Sequence, residues 1–337
     1  MAPTAPRDLR GGIDLGGTKI EAIVVDATNT VLGSARMPTP TTGGPGDVAT
    51  AMAGVMQKAA HAASVEVTQV GGIGVGSPGQ VDQRAGTVTA ARNLPGWTGS
   101  FPLAAKLEAL LAVPVALNGD VDVATNAELT LGAGQPFDSL LGVFWGTGIG
   151  GGVIIDRKLW LGRGVAGEVG HMVIRQDGRL CTCGRRGCVE AYAGRGAMEI
   201  RARKLHESGK STVLFDIMRE HGHDRLTSGI WERALEAGDK LAHRLIDRAV
   251  RALGAGIASA VNLLDVEAVI IGGGLGVRFG QPYVERIAHE MNPHLFADDR
   301  PPRVLLAGLG DLGGALGAAL NAPPEGTALG VVTGRDG

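Results

Sequence analysis

The sequence predicts an α/β protein built as two similar domains, and three observations lead there. Short apolar strands alternate with helical stretches along most of the chain. Residues 139–156, SLLGVFWGTGIGGGVIID, repeat the layout of residues 9–26: an apolar strand, a glycine-rich turn with a threonine, and a second apolar strand closing on Asp. The chain is also long enough for two packed cores, with 337 residues, 44% of them hydrophobic and 20% charged. The first domain is expected over residues 8–120, with a returning helix at 311–322, and the second over 121–310.

Composition excludes several classes of partner. A net charge of −2 with no basic arm or patch gives no footing for nucleic acid or an anionic membrane surface. The opening MAPTAPRDLR has no apolar run after its charges, so neither a signal peptide nor a membrane anchor is expected, and residues 1–7 read as a flexible tail. An odd number of cysteines at metal spacing fits a reducing compartment, so a cytoplasmic protein is expected.

Residues 9–40 read as three strands in an antiparallel meander, with Asp14-Leu15-Gly16-Gly17-Thr18-Lys19 as the first turn. Two glycines and a hydroxyl between strands let backbone amides approach phosphate oxygens, while the carboxylate just before them can hold magnesium. It is not a P-loop, which ends in Gly-Lys-Ser/Thr and enters a helix, and a hairpin turn alone accounts for it equally well. A helix over Asp47–Ala62 follows, then a strand over Val70–Gly76 broken at Ser77-Pro78-Gly79, then a hairpin. In Arg92-Asn93-Leu94-Pro95-Gly96-Trp97 the Asn93 amide suits a polyhydroxylated ligand, and a plain turn with Trp97 packed beneath it is the simpler alternative.

A helix near Phe101–Leu111 and a strand over Val113–Leu117 lead to Asp120, at the carboxyl end of a strand and the start of a helix. Active sites of α/β proteins gather at such junctions, and a helix cap explains an aspartate there as well. The second glycine turn, Gly146 to Gly151, is a poor dinucleotide fingerprint because a strand follows it. Two phosphate-type hairpins, one per half, suggest two domains facing each other across a nucleotide cleft.

The stretch 164–190, GVAGEVGHMVIRQDGRLCTCGRRGCVE, holds all three cysteines. Cys181, Cys183 and Cys188 with His171 form a complete donor set for a tetrahedral structural zinc, and Gly184 and Gly187 let the loop bend around an ion. The alternative, three small buried hydrophobes, fits poorly with so polar a loop. Its flanks bring Glu168, His171 and Glu190 near one another. Beyond lie a mostly helical region to about Asn262, a buried strand over Glu267–Ile271 ending in Gly272–Gly276, a last strand at Val304, a helix over Asp311–Leu320 and a disordered tail from Pro323. The glycines after Ile271 offer room for a flat ring or ribose.

Assembled in order, DLGGTK, RNLPGW, the Asp after a strand, GTGIGGG, GEVGH, CTCGRRGCVE and IIGGGLG resemble the ROK family (repressors, open reading frames and kinases), in particular its glucokinase-like sugar kinases, from Ile13 to about Leu320. The resemblance implies the actin-like ATPase (ribonuclease H-like) fold and the transfer of phosphate from ATP, with magnesium, to the 6-hydroxyl of glucose or a close hexose. It implies that Asp14, Gly16, Gly17 and Thr18 form the first phosphate loop, Thr147 and Gly148 the second, and Gly273 and Gly274 the adenosine site. Asn93, Asp120, Glu168, His171 and Glu190 match sugar-contacting positions, Asp120 being the catalytic base. His171, Cys181, Cys183 and Cys188 match the zinc set, in which zinc is a brace with no open coordination position. A homodimer is implied too. One departure stands out: the family's usual Asn before the catalytic Asp is Gly119 here, preceded by Asn118. An N-acetylmannosamine or other amino-sugar kinase, which shares the zinc loop, is the second expectation, and a sugar-responsive regulator without catalysis the third.

Overall fold

Glycine placement explains how tightly the first half of the chain packs. A computed structural model describes residues 8–91 and 94–329; the expectations for residues 1–7, for Arg92 and Asn93, and for residues 330–337 lie outside them. The chain divides into two units. Among the described residues the first runs to Thr130 and takes in Gly162–Val165 and those from Leu312 onward, and the second holds Leu131–Leu161 and Ala166–Asp311.

The first unit is a five-stranded sheet of β1 (Arg10–Leu15), β2 (Lys19–Val25), β3 (Val31–Pro38), β4 (Gly72–Ser77) and, beyond the small β5 (Gln80–Asp82) and β6 (Thr87–Thr89) hairpin, β7 (Val115–Gly119). Its order is β3-β2-β1-β4-β7. The meander is antiparallel, and β1, β4 and β7 run parallel. One face is covered by α1 (Pro45–Ala62), whose Val48, Met52, Val55, Met56 and Ala59 recur at helical spacing and are buried, together with α2 (Leu103–Leu111). On the other, α3 (Asp120–Leu131) and the C-terminal helix Gly313–Leu320 approach the sheet through glycines: a Cβ on Gly12 would stand 2.8 Å from Ala319 N, and one on Gly74 would stand 2.7 Å from Ala318 C. No side chain larger than hydrogen fits there.

The second unit repeats this order with different strands. β8 (Leu140–Trp145), β9 (Ile149–Ile155) and the two-residue β10 (Lys158–Leu159) form an antiparallel meander, and β11 (Ala268–Gly272) and β12 (Arg303–Leu306) add in parallel to give β10-β9-β8-β11-β12. Its helices are α4 (Glu190–Ala193), α5 (Arg195–Glu207), α6 (Leu214–Glu220), α7 (Ser228–Glu236), α8 (Lys240–Leu264) and α9 (Gly273–Met291). Asp239 caps α8 by accepting from Ala242 N at 2.7 Å, and the helix buries Leu241, Leu245, Ala249, Leu253 and Ile257 along one stripe.

Several expectations need correcting. The glycines after Ile271 lead into a helix not among the expected elements: Gly273 begins α9, which carries Leu275, Phe279, Val284, Ile287 and Met291 into the core despite a kink at Gly280 just before Pro282. The strand before Asp120 lies two residues later than expected, so Asp120 follows it without a linker. The helix that Asp120 opens belongs to the first unit, which extends to Thr130. Residues 323–329 are no loose tail at their start, since Pro323 packs against Gly72 and Glu325 against Gly71. Trp97 lies buried beneath its turn, donating Nε1 to Val88 O at 3.0 Å and meeting Phe101 edge to face.

Candidate active site

In the first unit the carboxyl ends of three parallel strands bring Asp14 and the start of α3 side by side. Asp14 on β1 pairs with Gly76 on β4, which pairs with Asn118 on β7, one residue before Gly119 and two before Asp120. Gly76 has no side chain to separate the two acids; a Cβ there would lie 3.4 Å from Asp120 Cα and 3.9 Å from Asp14 Oδ1. Burial, with the Asp120 carboxylate adding to it and Lys19 opposing, pushes the Asp14 pKa up to about 7. A carboxyl held this way gains from a cation beside it. Asp120 Oδ1 accepts from the next amide, Val121 N, at 2.9 Å.

The first glycine turn is closed by Gly16 N donating to Lys19 O at 2.9 Å and braced by Thr39, whose hydroxyl donates to Gly16 O at 2.6 Å. Gly16 and Gly17 are half-buried there, and Thr18 is exposed. Lys19 is held by the buried Glu21 at 2.8 Å, and Arg36 binds the same carboxylate. Asn118 has its amide oxygen committed to Gln83 Nε2 at 3.0 Å, and a Cβ on Gly119 would meet Asp122 Oδ2 at 2.7 Å, so the space a side chain at 119 would use is filled by a carboxylate.

In the second unit the turn Gly146–Gly148 is seated from three sides. Arg195 N and Gly196 N, opening α5, donate to Gly146 O at 3.1 Å and Thr147 O at 3.0 Å; Arg195 Nη2 donates to Thr147 Oγ1 at 2.6 Å. Glu190 Oε2 accepts from Ile149 N at 3.0 Å. The start of α9 lies alongside: a Cβ on Gly146 would be 3.9 Å from Gly274 N, and one on Gly273 would be 2.7 Å from Trp145 N. Helix amino termini with glycine-lined backbone are the protein surface that phosphate and ribose favour.

The cysteine loop is a short knot on the same unit. Gly184 and Gly187 take φ of 87° and 84°, the left-handed turn expected of them. His171 Nδ1 and the three Sγ atoms all lie within 4.8 Å of one another, with Cys181 Sγ to His171 Nδ1 and Cys183 Sγ to Cys188 Sγ both at 3.8 Å. Zinc bonds of about 2.0–2.3 Å at tetrahedral angles place donors roughly 3.5–3.8 Å apart, so the set fits that ion. Burial pushes the Cys181 thiol up to about 12, a state that a bound cation reverses. His171 turns its other nitrogen, Nε2, to Glu168 Oε2 at 3.8 Å, and Thr182 Oγ1 donates to Glu190 Oε1 at 2.8 Å. Glu168, His171 and Glu190 are thus grouped around the knot.

Residues 10–324 match the ROK family. The chain belongs to the ROK family. It is 33% identical to a glucokinase of Streptomyces coelicolor over 316 residues, covering 91% of this chain and 95% of that one, and 32% identical to an N-acetylmannosamine kinase of Yersinia pseudotuberculosis over 276 residues, covering 82% and 85%. Among solved structures, a ROK glucokinase from Streptomyces griseus in complex with glucose and AMPPNP superposes with a TM-score of 0.80 at 33% identity, covering 93% of this chain and 99% of that one. Both sheets of the present ROK protein have the same 3-2-1-4-5 course, and the fold is that of the actin-like ATPases. Among the described residues no helix is long and apolar enough to cross a membrane.

Motif reading missed Glu21, Thr39 and Arg195. The first two stand outside the glycine turn they brace, and Arg195 is the one charge in the run AYAGRGAM, with no motif to mark it.

Proposed function

We propose that this ROK protein is an ATP-dependent hexose kinase that phosphorylates the 6-hydroxyl of glucose or a close relative, giving the hexose 6-phosphate and ADP. The placement of Asp14 near the end of β1 and of Asp120 directly after β7, with the side-chain-less Gly76 between them, carries the reading, in a chain similar along nearly its whole length to a glucokinase solved with glucose and AMPPNP. Asp120 accepts the proton of the attacking hydroxyl as its oxygen bonds to the γ-phosphorus and the bond to the β-phosphate oxygen breaks. Asn93, Glu168, His171 and Glu190 hold sugar hydroxyls. Gly16, Gly17 and Thr18 receive phosphate oxygens, as do Thr147 and Gly148, while Gly273 and Gly274 take the adenosine.

Magnesium, with Asp14 as its protein neighbour, would supply charge neutralisation on the phosphates. His171, Cys181, Cys183 and Cys188 would hold zinc, which braces the loop and leaves no coordination position for substrate. Family resemblance supports a homodimer, and the cysteine usage supports a cytoplasmic setting.

Gly119 favours a second reading for the sugar. With Asp122 filling the space beside it and Asn118 turned to Gln83, a pocket tuned to an N-acetylated hexosamine fits the likeness to an N-acetylmannosamine kinase. ADP release from purified protein with magnesium, ATP and a panel of hexoses tests both. Glucose leading in kcat/KM supports the first, N-acetylmannosamine leading supports the second, and no ADP release with any sugar removes the kinase reading.

A further inference from the structure

We propose that Arg195 is a positioning residue that makes the Thr147 hydroxyl a one-directional donor to a phosphoryl oxygen of the nucleotide, an inference that rests on the kinase reading above. Arg195 is buried, 7% exposed as a residue. Its Nη1 donates to Leu226 O at 2.8 Å and its Nη2 to Thr147 Oγ1 at 2.6 Å. A guanidinium has no acceptor, so in the second bond the hydroxyl must accept, and its single proton is left for another partner. Among the described residues Thr147 Oγ1 has none.

The backbone of the turn is polarised the same way. Gly146 O and Thr147 O are taken by the first amides of α5, Gly146 N donates to Gly148 O, and Ile149 N donates to Glu190. Thr147 N and Gly148 N have no partner among the described residues. Two amides and one hydroxyl proton therefore remain as donors, with the carbonyls on either side of the turn turned to the helix. An array of donors without acceptors selects an anion.

Charge behind the turn points to the same ligand. Both acceptors of Arg195 are neutral, while Arg203 binds Glu199 at 2.7 Å and Arg225 stands 4.0 Å from it. The Glu199 carboxylate is thus already shared by two other guanidiniums, and Arg195 contacts no carboxylate. Burial and Arg225 pull the Arg195 pKa down while Glu199 opposes, yet arginine keeps its proton, so a buried positive charge sits one hydroxyl away from the turn. A triphosphate reached through Thr147 offsets it, and the cation in turn makes the hydroxyl a stronger donor.

Isothermal titration of AMPPNP with magnesium, and separately of glucose, is the test, on wild type, Arg195→Met, Arg195→Lys, Thr147→Val, Thr147→Ser and the Arg195→Met/Thr147→Val double variant. Loss of a bond to a charged ligand should weaken AMPPNP roughly ten- to hundred-fold in Arg195→Met and in Thr147→Val, with the double variant scarcely worse than either. Arg195→Lys and Thr147→Ser should recover much of the affinity, and glucose should bind all variants within about twofold. The inference is overturned if Arg195→Met binds AMPPNP like wild type, if the two losses multiply, or if glucose affinity falls in step, which marks a merely structural role. Should Arg195→Met fail to fold, wild-type AMPPNP affinity in Thr147→Val overturns it, and loss there with retention in Thr147→Ser supports it. Wild type that binds glucose and no AMPPNP refutes the kinase reading and this inference together, whereas normal binding by wild type and all variants refutes only this one.

Discussion

Glu190 accepts from Ile149 N at 3.0 Å while Thr182 of the cysteine loop donates to its other oxygen at 2.8 Å, so one carboxylate ties the loop to the second glycine turn. Disordering the loop should therefore be felt at the nucleotide as well as the sugar. Cys183→Ser should lose zinc by metal analysis and lower Tm. Both KM for ATP and KM for the hexose should rise, with kcat/KM down at least about tenfold, since a structural metal site is also folding free energy. Full activity in a metal-free preparation would contradict the brace role.

Asp14 gives a pH dependence with a definite sign. Its carboxyl is raised from 3.8 to about 7 in the folded chain, chiefly by burial and then by Asp120. Between those values the native state binds the extra proton, so this group's contribution weakens stability as pH rises through the window and leaves it lowest above about 7. Asp14→Asn removes the slope. In metal-free protein, the stability of Asp14→Asn relative to wild type should climb from about pH 5 to about pH 8 in urea titrations, while its kinase activity is lost. A difference independent of pH would contradict the shift.

The two sheets were legible because each repeats one pattern, an apolar hairpin around glycines followed by apolar strands, and patterned burial is what a sequence displays most openly. β10 was not, for two residues carry no period. α9 was hidden by its own composition, three glycines at its start and Gly280 with Pro282 inside, although Leu275, Phe279, Val284, Ile287 and Met291 keep the helical spacing that packing rewards. At the candidate site the glycine turns and the cysteine loop stood out by residue type and spacing, and the residue roles came from the resemblance. Those that hold them, Arg195 on Thr147 and Glu21 on Lys19, were not, because such contacts arise only from the packing.

Gly12 tests how the C-terminal helix is seated. A methyl at this position would sit 2.8 Å from Ala319 N, a backbone atom that moves only with its helix. Gly12→Ala should destabilise by about 1–3 kcal/mol, the range for overpacking a close contact, and Gly54→Ala, where nothing lies within 4 Å, should be neutral or slightly stabilising. Equal Tm values for Gly12→Ala and wild type would show that the helix is not held this closely.

Asp120→Asn tests the central claim most directly. Steady-state kinetics with the preferred hexose should show kcat lower by at least about two orders of magnitude, with Tm and the sugar's Kd close to wild type, as removal of a positioned base predicts. A kcat near the wild-type value in the folded, sugar-binding variant would contradict it and place the base elsewhere.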